Sequence, residues 1–296
     1  MKESPILVVN KPRKKRPAAS KKKSSSSRKK SSKRKKHTSK EMPRWLFYVL
    51  SALIILLFAA VFYYFFIKPY AYRWKPCYGC REYGVCMPYG YQVHGIDISH
   101  FQGDIDWSLL KENQSENYPL KFVFVKATEG GDLNDDTFNK NFESARKHGF
   151  IRGAYHFYNP STPALRQADF FINTVKLDSG DLPPVLDIEL KGKKEPEELK
   201  KDLKIWLDKV ERHYKVKPIL YTSYKFKMRY LNDSVFNSYP YWIAHYYVDS
   251  VRYEGAWQFW QHTDVGSIPG IPKNVDLNIF NGTLQELVGM TIKSGR

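Results

Sequence analysis

The chain has 296 residues and a formal net charge of +18, but this charge is unevenly placed. Residues 1–44 carry 18 of the 48 Lys and Arg residues and two acidic residues, a net charge of +16, which leaves +2 for the other 252 residues. The basic excess therefore belongs to one terminal segment and is not the basic surface of a folded nucleic-acid-binding domain. An aromatic content of 16% excludes a chain that is disordered throughout, and three cysteines are too few for a disulfide scaffold.

The terminal segment 1–44 is rich in Lys, Arg, Ser and Pro, and almost nothing apolar follows Val9. Such a segment cannot bury enough apolar surface to offset the chain entropy lost on folding, so we predict a disordered, cytoplasmic basic tail. The tail could also contact anionic lipid headgroups or nucleic acid. A solvated segment that sets membrane topology is the better interpretation, and no nucleic-acid partner is expected.

An uninterrupted run of 23 uncharged residues follows at 45–67. A helix rises about 1.5 Å per residue, so this run is long enough to cross a hydrocarbon core of about 30 Å, and it has no polar face. We predict a transmembrane helix. A cleaved signal peptide is the alternative, but its apolar region usually has about 7–15 residues. Because Lys and Arg stay on the cytoplasmic side, the N-terminus is predicted inside and everything after Lys68 outside.

A short juxtamembrane linker, 68–92, holds Cys77, Cys80 and Cys86 at C-x2-C-x5-C spacing. A zinc site would need a fourth ligand, and the nearest histidines lie at no standard spacing. Outside a membrane, a disulfide between two of the three cysteines is favoured, which leaves one thiol over. The spacing leaves the pairing open.

Residues 93–288 are predicted to form one globular domain, followed by a short C-terminal tail, 289–296. Strand-like runs alternate with helical patterns, which is typical of an α/β fold. Full β/α barrels usually have about 250 residues, so this length favours a modified, trimmed TIM-like barrel in which short loops replace the later helices. The predicted strands are 93–98, 122–127, 151–157, 185–188, 218–222, 241–244, 256–260 and 275–279, and the clear helices are 136–148, 163–176 and 196–214.

Acidic residues recur at the predicted strand ends, where barrel enzymes carry their reactive groups. Asp97 lies on the first strand, Asp187 and Glu189 on the fourth, and Asp276 on the eighth. Side chains alternate between the faces of a strand, so Asp187 and Glu189 should share one face. Two carboxylates that face one cavity favour a protonated acid beside an ionised one, as general acid catalysis requires. Loop capping or ion pairing would explain one such acid, whereas three strand ends favour a catalytic site.

Aromatic and amide side chains near the predicted strand ends favour a sugar ligand. Aromatic rings stack on the apolar faces of pyranoses, and Tyr, Trp, His and Gln form hydrogen bonds with hydroxyl and amide groups. Core packing is the alternative for each residue taken alone. The predicted substrate-binding residues are Tyr155, Phe157, Tyr221, Trp242, His245, Trp257 and Gln258.

Eight short motifs, in order and at plausible spacing, resemble the glycoside hydrolase family 25 lysozymes, the Chalaropsis-type muramidases. One such fragment would be a weak signal, but eight in order are a strong one. The tail, the apolar run and the cysteine segment lie outside the resemblance. The motifs are DISHFQGDIDW (97–107), FVKATEG (124–130), RGAYHFY (152–158), LDIE (186–189), ILYTS (219–223), YWIAHY (241–246), AWQFWQ (256–261) and VDLNIF (275–280).

The resemblance implies a modified β/α barrel that hydrolyses the β-1,4 bond between N-acetylmuramic acid and N-acetylglucosamine in peptidoglycan. By motif, Glu189 would be the general acid/base, Asp187 would stabilise the 2-acetamido group or the charge at the anomeric carbon, and Asp97 and Asp276 would complete the acidic cluster. A retaining, substrate-assisted mechanism follows by analogy. No metal or cofactor is predicted. The predicted partners are peptidoglycan glycan strands and, through the transmembrane helix, the lipid bilayer.

Two other functions would keep much of the same pattern. One is a catalytically inactive peptidoglycan-binding module, and the other is a hydrolase of another N-acetylated glycan such as chitin. The presence of all four acids favours an enzyme. An outward-facing muramidase suits the inner membrane of a bacterial envelope, with one membrane pass and the catalytic domain in the periplasm or otherwise outside the cytoplasm. Wall remodelling and attack on competitors both fit this location.

Overall fold

The structure, a computed structural model, describes residues 42–68, 77 and 80–293. The predicted disordered tail falls outside the described residues except at 42–44. Helix α1 covers Arg44–Phe62 and continues as a π-helical turn over Tyr63–Ile67. This helix is long and apolar enough to cross a membrane by length and composition.

Eight strands close into a barrel within the described residues. They are β3 (Val93–Ile98), β4 (Leu120–Glu129), β6 (Ile151–Phe157), β7 (Val185–Asp187), β8 (Ile219–Ser223), β9 (Tyr241–Ala244), β10 (Phe259–Gly266) and β11 (Val275–Phe280). Their order around the barrel is β3-β11-β10-β9-β8-β7-β6-β4, and the pairing of β4 with β3 closes it. Three further short strands are β1 (Arg81–Glu82), β2 (Val85–Cys86) and β5 (Leu133–Asn134).

The predicted α/β class is confirmed, but one strand departs from the TIM-like pattern. Seven of the barrel strands run parallel, whereas β11 is antiparallel to both β10 and β3. The connection 267–274 between β10 and β11 is too short for a crossover helix, and parallel neighbours need a crossover of a dozen or more residues. The chain therefore turns back as a hairpin and the last strand runs in the opposite direction.

Three long helices match the predicted ones, and the others are short. α5 starts with Pro196 in its first turn, followed by two acidic residues that suit the helix N-terminus. No helix lies between β9 and β10 or between β10 and β11 in this fully described stretch, as the trimmed barrel predicted. The helices of the barrel region are α2 (Trp107–Glu112), α3 (Phe138–Lys147), α4 (Ala164–Thr174), α5 (Pro196–Tyr214), α6 (Tyr224–Tyr230), α7 (Ser234–Asn237) and α8 (Leu284–Met290).

Large aromatic rings fill the barrel interior below its carboxyl rim, and two glycines make room for them. A Cβ on Gly95 would lie 2.5 Å from the carbonyl oxygen of Phe122, and one on Gly153 would lie 2.5 Å from the ring of Phe124. Both positions face inward on strands that carry site residues further along. A second apolar layer, which includes the fully buried Trp206, separates the strands from the surrounding helices.

Residues 80–92 pack against the barrel where no crossover helix covers it. Tyr83 and Met87 are buried, the Tyr83 hydroxyl donates to the carbonyl of Tyr118 (2.9 Å), and the ring of Tyr91 lies 5.8 Å from that of Trp260. The predicted disulfide forms between Cys77 and Cys86 and leaves Cys80 as an exposed thiol. At the other end, the Ile292 amide donates to the carbonyl of Asp181 (2.8 Å). Contacts thus extend beyond both predicted domain boundaries, 93 and 288.

Candidate active site

Four carboxylates meet at the carboxyl rim of the barrel. Asp97 lies near the end of β3, Asp187 ends β7, and Glu189 follows two residues later. Asp276 is the second residue of β11, and because β11 runs antiparallel its amino end lies at the same rim. The register pairs Asp276 directly with Asp97. The reversal of one strand thus completes the acidic cluster that the sequence predicted from strand ends.

Alternation along β7 directs two of the acids inward. Leu186 and Ile188 are fully buried in the outer apolar layer, so Asp187 and Glu189 face the barrel axis, as predicted. Asp187 is only 5% exposed, whereas Glu189 is exposed at the rim. The Oδ1 atom of Asp187 has no hydrogen-bond partner among the residues that the structure describes. Among the described residues, this buried acceptor is therefore left unpaired inside the acidic cluster.

Burial raises the pKa of every acid in the cluster. Loss of solvent raises the pKa of Asp97 to about 6, although hydrogen bonds from Asn278 and Gln261 oppose the rise. Burial, and then the charge of Asp97, raise the pKa of its partner Asp276 to about 9. The pair therefore holds one proton at neutral pH, since two adjacent buried carboxylates do not both ionise.

The pKa values of Asp187 and Glu189 are also raised, for related reasons. Burial, and then the charge of Glu189, raise the pKa of Asp187 well above its ordinary value. Desolvation at the rim raises the pKa of Glu189, while a hydrogen bond with Tyr221 and the charge of Lys126 lower it. A carboxylic acid that keeps its proton near neutral pH can act as a general acid.

Two amide side chains hold Asp97 in place, and neither was among the predicted site residues. Asn278 Nδ2 and Gln261 Nε2 both donate to Asp97 Oδ2, at 2.6 and 2.8 Å. Gln261 Oε1 in turn accepts from the hydroxyls of Tyr221 (2.7 Å) and Tyr246 (2.5 Å). The signal for Asn278 was its place two residues after Asp276, on the same face of one strand. Gln261 could be identified only once β10 was known to extend from Phe259 to Gly266.

A lysine enters the acidic site from β4. Lys126 lies two residues beyond the inward-facing Phe124, its side chain is 12% exposed, and its Nζ lies 2.7 Å from Glu129 Oε2. The ammonium also lies 5.1 Å from the centre of the Phe157 ring. Its charge lowers the pKa of Asp187, against the larger effect of burial. The motif FVKATEG contains this residue, and inward alternation from Phe122 and Phe124 would have identified it.

Three of the predicted substrate-binding residues adjoin the cluster, and a fourth lies beneath it. Burial raises the pKa of Tyr155, and the charges of the nearby acids, Asp97 first, raise it further. Phe157 lies under Lys126, and Tyr221 hydrogen bonds within the site. Trp242 is 2% exposed and stacks 4.4 Å from Phe124, so it has no ring face free for a sugar. It donates instead through Nε1 to Asn278 Oδ1 (2.7 Å) and supports the cluster from below.

The prediction that Trp257 and Gln258 line the site is wrong, because the strand predicted at 256–260 begins at Phe259 and extends to Gly266. Both residues therefore precede β10 and lie at the opposite, amino-terminal rim. Gln258 is bonded there to Tyr241, the first residue of β9. Gln258 Oε1 accepts from the backbone N–H of Tyr241, and the backbone N–H of Gln258 donates to the Tyr241 carbonyl, both at 2.8 Å.

The ring of His245 also points away from the acids. It lies one residue past the end of β9 and stacks on Tyr224, with ring centres 4.5 Å apart and planes at 6°. Its neighbour Tyr246 has the opposite phase and reaches Gln261. The period-two alternation of strand side chains therefore selects Tyr246 for the site in place of His245.

Comparison with known proteins now identifies the family. The model of Glycosyl hydrolases family 25 matches residues 96–271. The chain belongs to this family. YegX of Escherichia coli K12 is 43% identical over 208 residues, which cover 70% of this chain and 76% of YegX. Lysozyme M1 of Streptomyces globisporus is 32% identical over 213 residues, which cover 67% of this chain and 71% of that protein.

Two solved structures share the fold of the chain. The family 25 glycosyl hydrolase of Bacillus anthracis superposes with a TM-score of 0.62 at 34% identity and covers 68% of this chain and 94% of its own. The lysozyme of Streptomyces coelicolor gives a TM-score of 0.61 at 30% identity, over 67% and 96% of the two chains. As a family 25 member, the chain is a glycoside hydrolase. The matched residues include Asp97, Asp187 and Glu189, and they end before Asp276.

Proposed function

We propose that the chain is a membrane-anchored muramidase that cleaves the β-1,4 bond between N-acetylmuramic acid and N-acetylglucosamine in peptidoglycan. One observation carries the proposal. The inward pair Asp187 and Glu189 faces the proton-sharing pair Asp97 and Asp276 at one rim of a family 25 barrel. Lysozymes among the relatives support the choice of polymer.

Glu189 is the proposed general acid/base. It is exposed at the rim, where a glycosidic oxygen can reach it, and its raised pKa keeps a proton available. In the first step Glu189 gives this proton to the leaving oxygen as the bond from the anomeric carbon to that oxygen breaks. General acid–base catalysis of this kind contributes a factor of about 10²–10⁴.

Asp187 is proposed to orient the 2-acetamido group of the substrate. Its unpartnered Oδ1 can accept the acetamido N–H, which turns the acetamido oxygen towards the anomeric carbon. That oxygen forms a bond to the anomeric carbon as the leaving group departs, and an oxazolinium ion results. Water then attacks the anomeric carbon and gives a proton to Glu189, while the bond from the anomeric carbon to the acetamido oxygen breaks and the acetamido group is restored. Two successive inversions retain the anomeric configuration.

Asp97 and Asp276 are proposed to stabilise positive charge that develops at the anomeric carbon. Asp97 is immobilised by Asn278 and Gln261, so its carboxylate needs little reorganisation during the reaction. Asp276 shares its proton with Asp97 and keeps the net charge of the pair near one.

Analysis of new reducing ends tests the proposal directly. The full chain in detergent micelles is incubated with purified peptidoglycan, the products are reduced with borohydride, and acid hydrolysis follows. A muramidase yields muramitol. Glucosaminitol would contradict the bond assignment, and binding without any new reducing end would favour the inactive module. A rate on chitin equal to that on peptidoglycan would favour the hydrolase of another N-acetylated glycan.

The membrane anchor and its orientation are a second part of the proposal. The length and composition of the helix Arg44–Ile67 and the basic residues before it support a single pass with the barrel outside the cytoplasm. Cys80 offers a probe, because its thiol is exposed while Cys77 and Cys86 are bonded to each other. A membrane-impermeant maleimide should label Cys80 in intact spheroplasts, with Cys80→Ser as control. Labelling only after permeabilisation would contradict the proposed orientation and place the barrel inside the cytoplasm.

A further inference from the structure

A small surface beside the acidic cluster, formed by His100, Phe101 and Lys273, takes no part in the mechanism above. His100 lies three residues after Asp97, and Lys273 lies three residues before Asp276. These two aspartates face each other across β3 and β11, so both approaches to the pair converge at the carboxyl rim. We refer to His100, Phe101 and Lys273 as the β3–β11 surface.

Lys273 offers an exposed cation at this surface. Its Nζ lies 4.6 Å from the centre of the Phe101 ring, and that ring is itself 57% exposed. No ion pair to Lys273 is found within residues 80–293 that the structure describes. The nearby exposed acid Asp104 is already paired with Lys140. A ring face under the ammonium positions the charge but leaves its donors open to a ligand.

The main chain under this surface is fixed. Ser99 and Gln102 form a reciprocal capping box around a 3-10 turn, His100–Gln102. Gln102 Nε2 also donates to the carbonyl of Asn274 (3.1 Å), which ties the turn to the residue after Lys273. The two halves of the surface therefore come from distant parts of the sequence but are joined directly.

The ring of His100 is held by a buried acid. Its Nδ1 lies 2.8 Å from Asp135 Oδ2, the Asp135 side chain is fully buried, and the His100 ring is 57% exposed. Asp135 also accepts from the hydroxyl of Thr137 (2.7 Å), so its own position is fixed. Because Nδ1 is bonded to this carboxylate, the second ring nitrogen, Nε2, is the one left for a ligand.

We propose that the β3–β11 surface is a subsite for the acidic peptide that the muramic acid of the substrate carries. The inference rests on the proposed function and deepens it to substrate specificity. Lys273 binds a peptide carboxylate, Nε2 of His100 hydrogen bonds with the peptide main chain, and Phe101 contacts apolar side chains of the peptide. A glycan without peptides offers neither the peptide's own carboxylates nor its apolar side chains to this surface, so the subsite favours glycan strands that carry peptides.

The test is a ratio of specificities measured on the full chain in detergent micelles. One substrate is solubilised glycan strands with their peptides, and the other is the same strands after an amidase has removed the peptides. Lys273→Met should lower the ratio of kcat/KM on the two substrates about tenfold, the effect of losing one charge-assisted hydrogen bond. Lys273→Arg keeps the charge and should restore most of the ratio.

A matched control is Lys111→Met. Lys111 Nζ also lies over a ring, 5.1 Å from the centre of Phe150, but on α2 outside the barrel. This variant should leave the ratio at the parent value. A ratio that Lys273→Met does not change, including an equal loss on both substrates, overturns the subsite while the proposed function stands. A parent chain that cleaves neither substrate overturns both proposals.

Discussion

Asp97 and Asp276 are register partners across the only antiparallel boundary that β3 forms among the described strands, and they share a proton there. Their contact exists because β11 enters the barrel from the rim side. In an all-parallel barrel, a residue at the start of the last strand would lie at the opposite end. The hairpin between β10 and β11 is therefore part of the chemistry as well as of the topology.

The first prediction concerns stability and pH at this pair. Asp276 keeps its proton in the folded chain up to about pH 9, whereas an ordinary aspartate loses it near 3.8. Between these values the folded state binds more protons than the unfolded state, so the free energy of unfolding falls as pH rises. Asp276→Asn removes the titrating carboxyl, so the variant does not lose this free energy of unfolding as pH rises. Its melting temperature should exceed that of the parent at pH 8 by at least about 2–4 °C, which corresponds to 1 kcal/mol in a domain of this size.

The control for that experiment is Asp104→Asn, at an exposed residue paired with Lys140. At pH 4 the gain from Asp276→Asn should largely disappear, because pH 4 lies close to the ordinary pKa of 3.8 and the pH-dependent loss of stability has only begun there. An equal gain at both pH values, or a loss at pH 8, would contradict a raised pKa at Asp276.

A second prediction separates two glutamines that lie three residues apart. Gln261→Leu removes a donor from Asp97 and an acceptor from two tyrosine hydroxyls, so kcat should fall roughly 10–100-fold, as expected for hydrogen bonds to a charged group. Gln258→Leu leaves the Tyr241 amide without its acceptor and should lower the melting temperature, with kcat of the folded enzyme unchanged. Equal effects of the two substitutions on kcat would contradict a site at the carboxyl rim.

A third prediction concerns Lys126. Its charge lowers the pKa of Glu189, so Lys126→Met should raise that pKa and move the alkaline limb of the kcat/KM profile to higher pH. Lys140→Met, on the outer helix α3, should leave the limb in place. The limb would stay unchanged, or move to lower pH, if Glu189 were not the group whose deprotonation stops the reaction.

A fourth prediction compares two glycines. A Cβ on Gly153 would clash with the ring of Phe124, and Gly153→Ala should destabilise the chain by about 1–3 kcal/mol through overpacking. Gly289→Ala, in the exposed helix α8 with open space around the new methyl group, should be neutral or stabilising by about 0.5–1 kcal/mol. Urea unfolding measures the stability of both variants. A Gly153→Ala chain more stable than the Gly289→Ala chain would contradict close packing of the barrel interior.

Local sequence patterns predicted the acid pair of β7 and the three long helices because these depend on alternation and on helical periodicity alone. They missed the bounds of β10, since the strand continues through Gln261, His262 and Thr263, which are buried but polar. Such residues do not resemble a core strand unless a site or a hairpin partner is already known. The error shifted the inferred rim and brought Trp257 and Gln258 into the predicted site.

The sequence left open the cysteine pairing and the contacts between residues that lie far apart along the chain. The cysteine spacing did not specify the bond between Cys77 and Cys86, in which Cys86 lies opposite Arg81 in the β1–β2 hairpin. The hydrogen bonds from Gln261 and Asn278 to Asp97 join residues 164 and 181 positions apart. No local pattern specifies such distances, whereas the closure of the barrel does.

The most direct test of the account is the activity of Glu189→Gln on purified peptidoglycan. The amide keeps the shape of the side chain but cannot give up a proton, so release of reducing ends should fall by about 10²–10⁴-fold. Binding to insoluble peptidoglycan should stay within twofold of the parent, and Glu143→Gln on the outer helix α3 should change neither. Release of reducing ends by Glu189→Gln at the parent rate would contradict the assignment of the general acid.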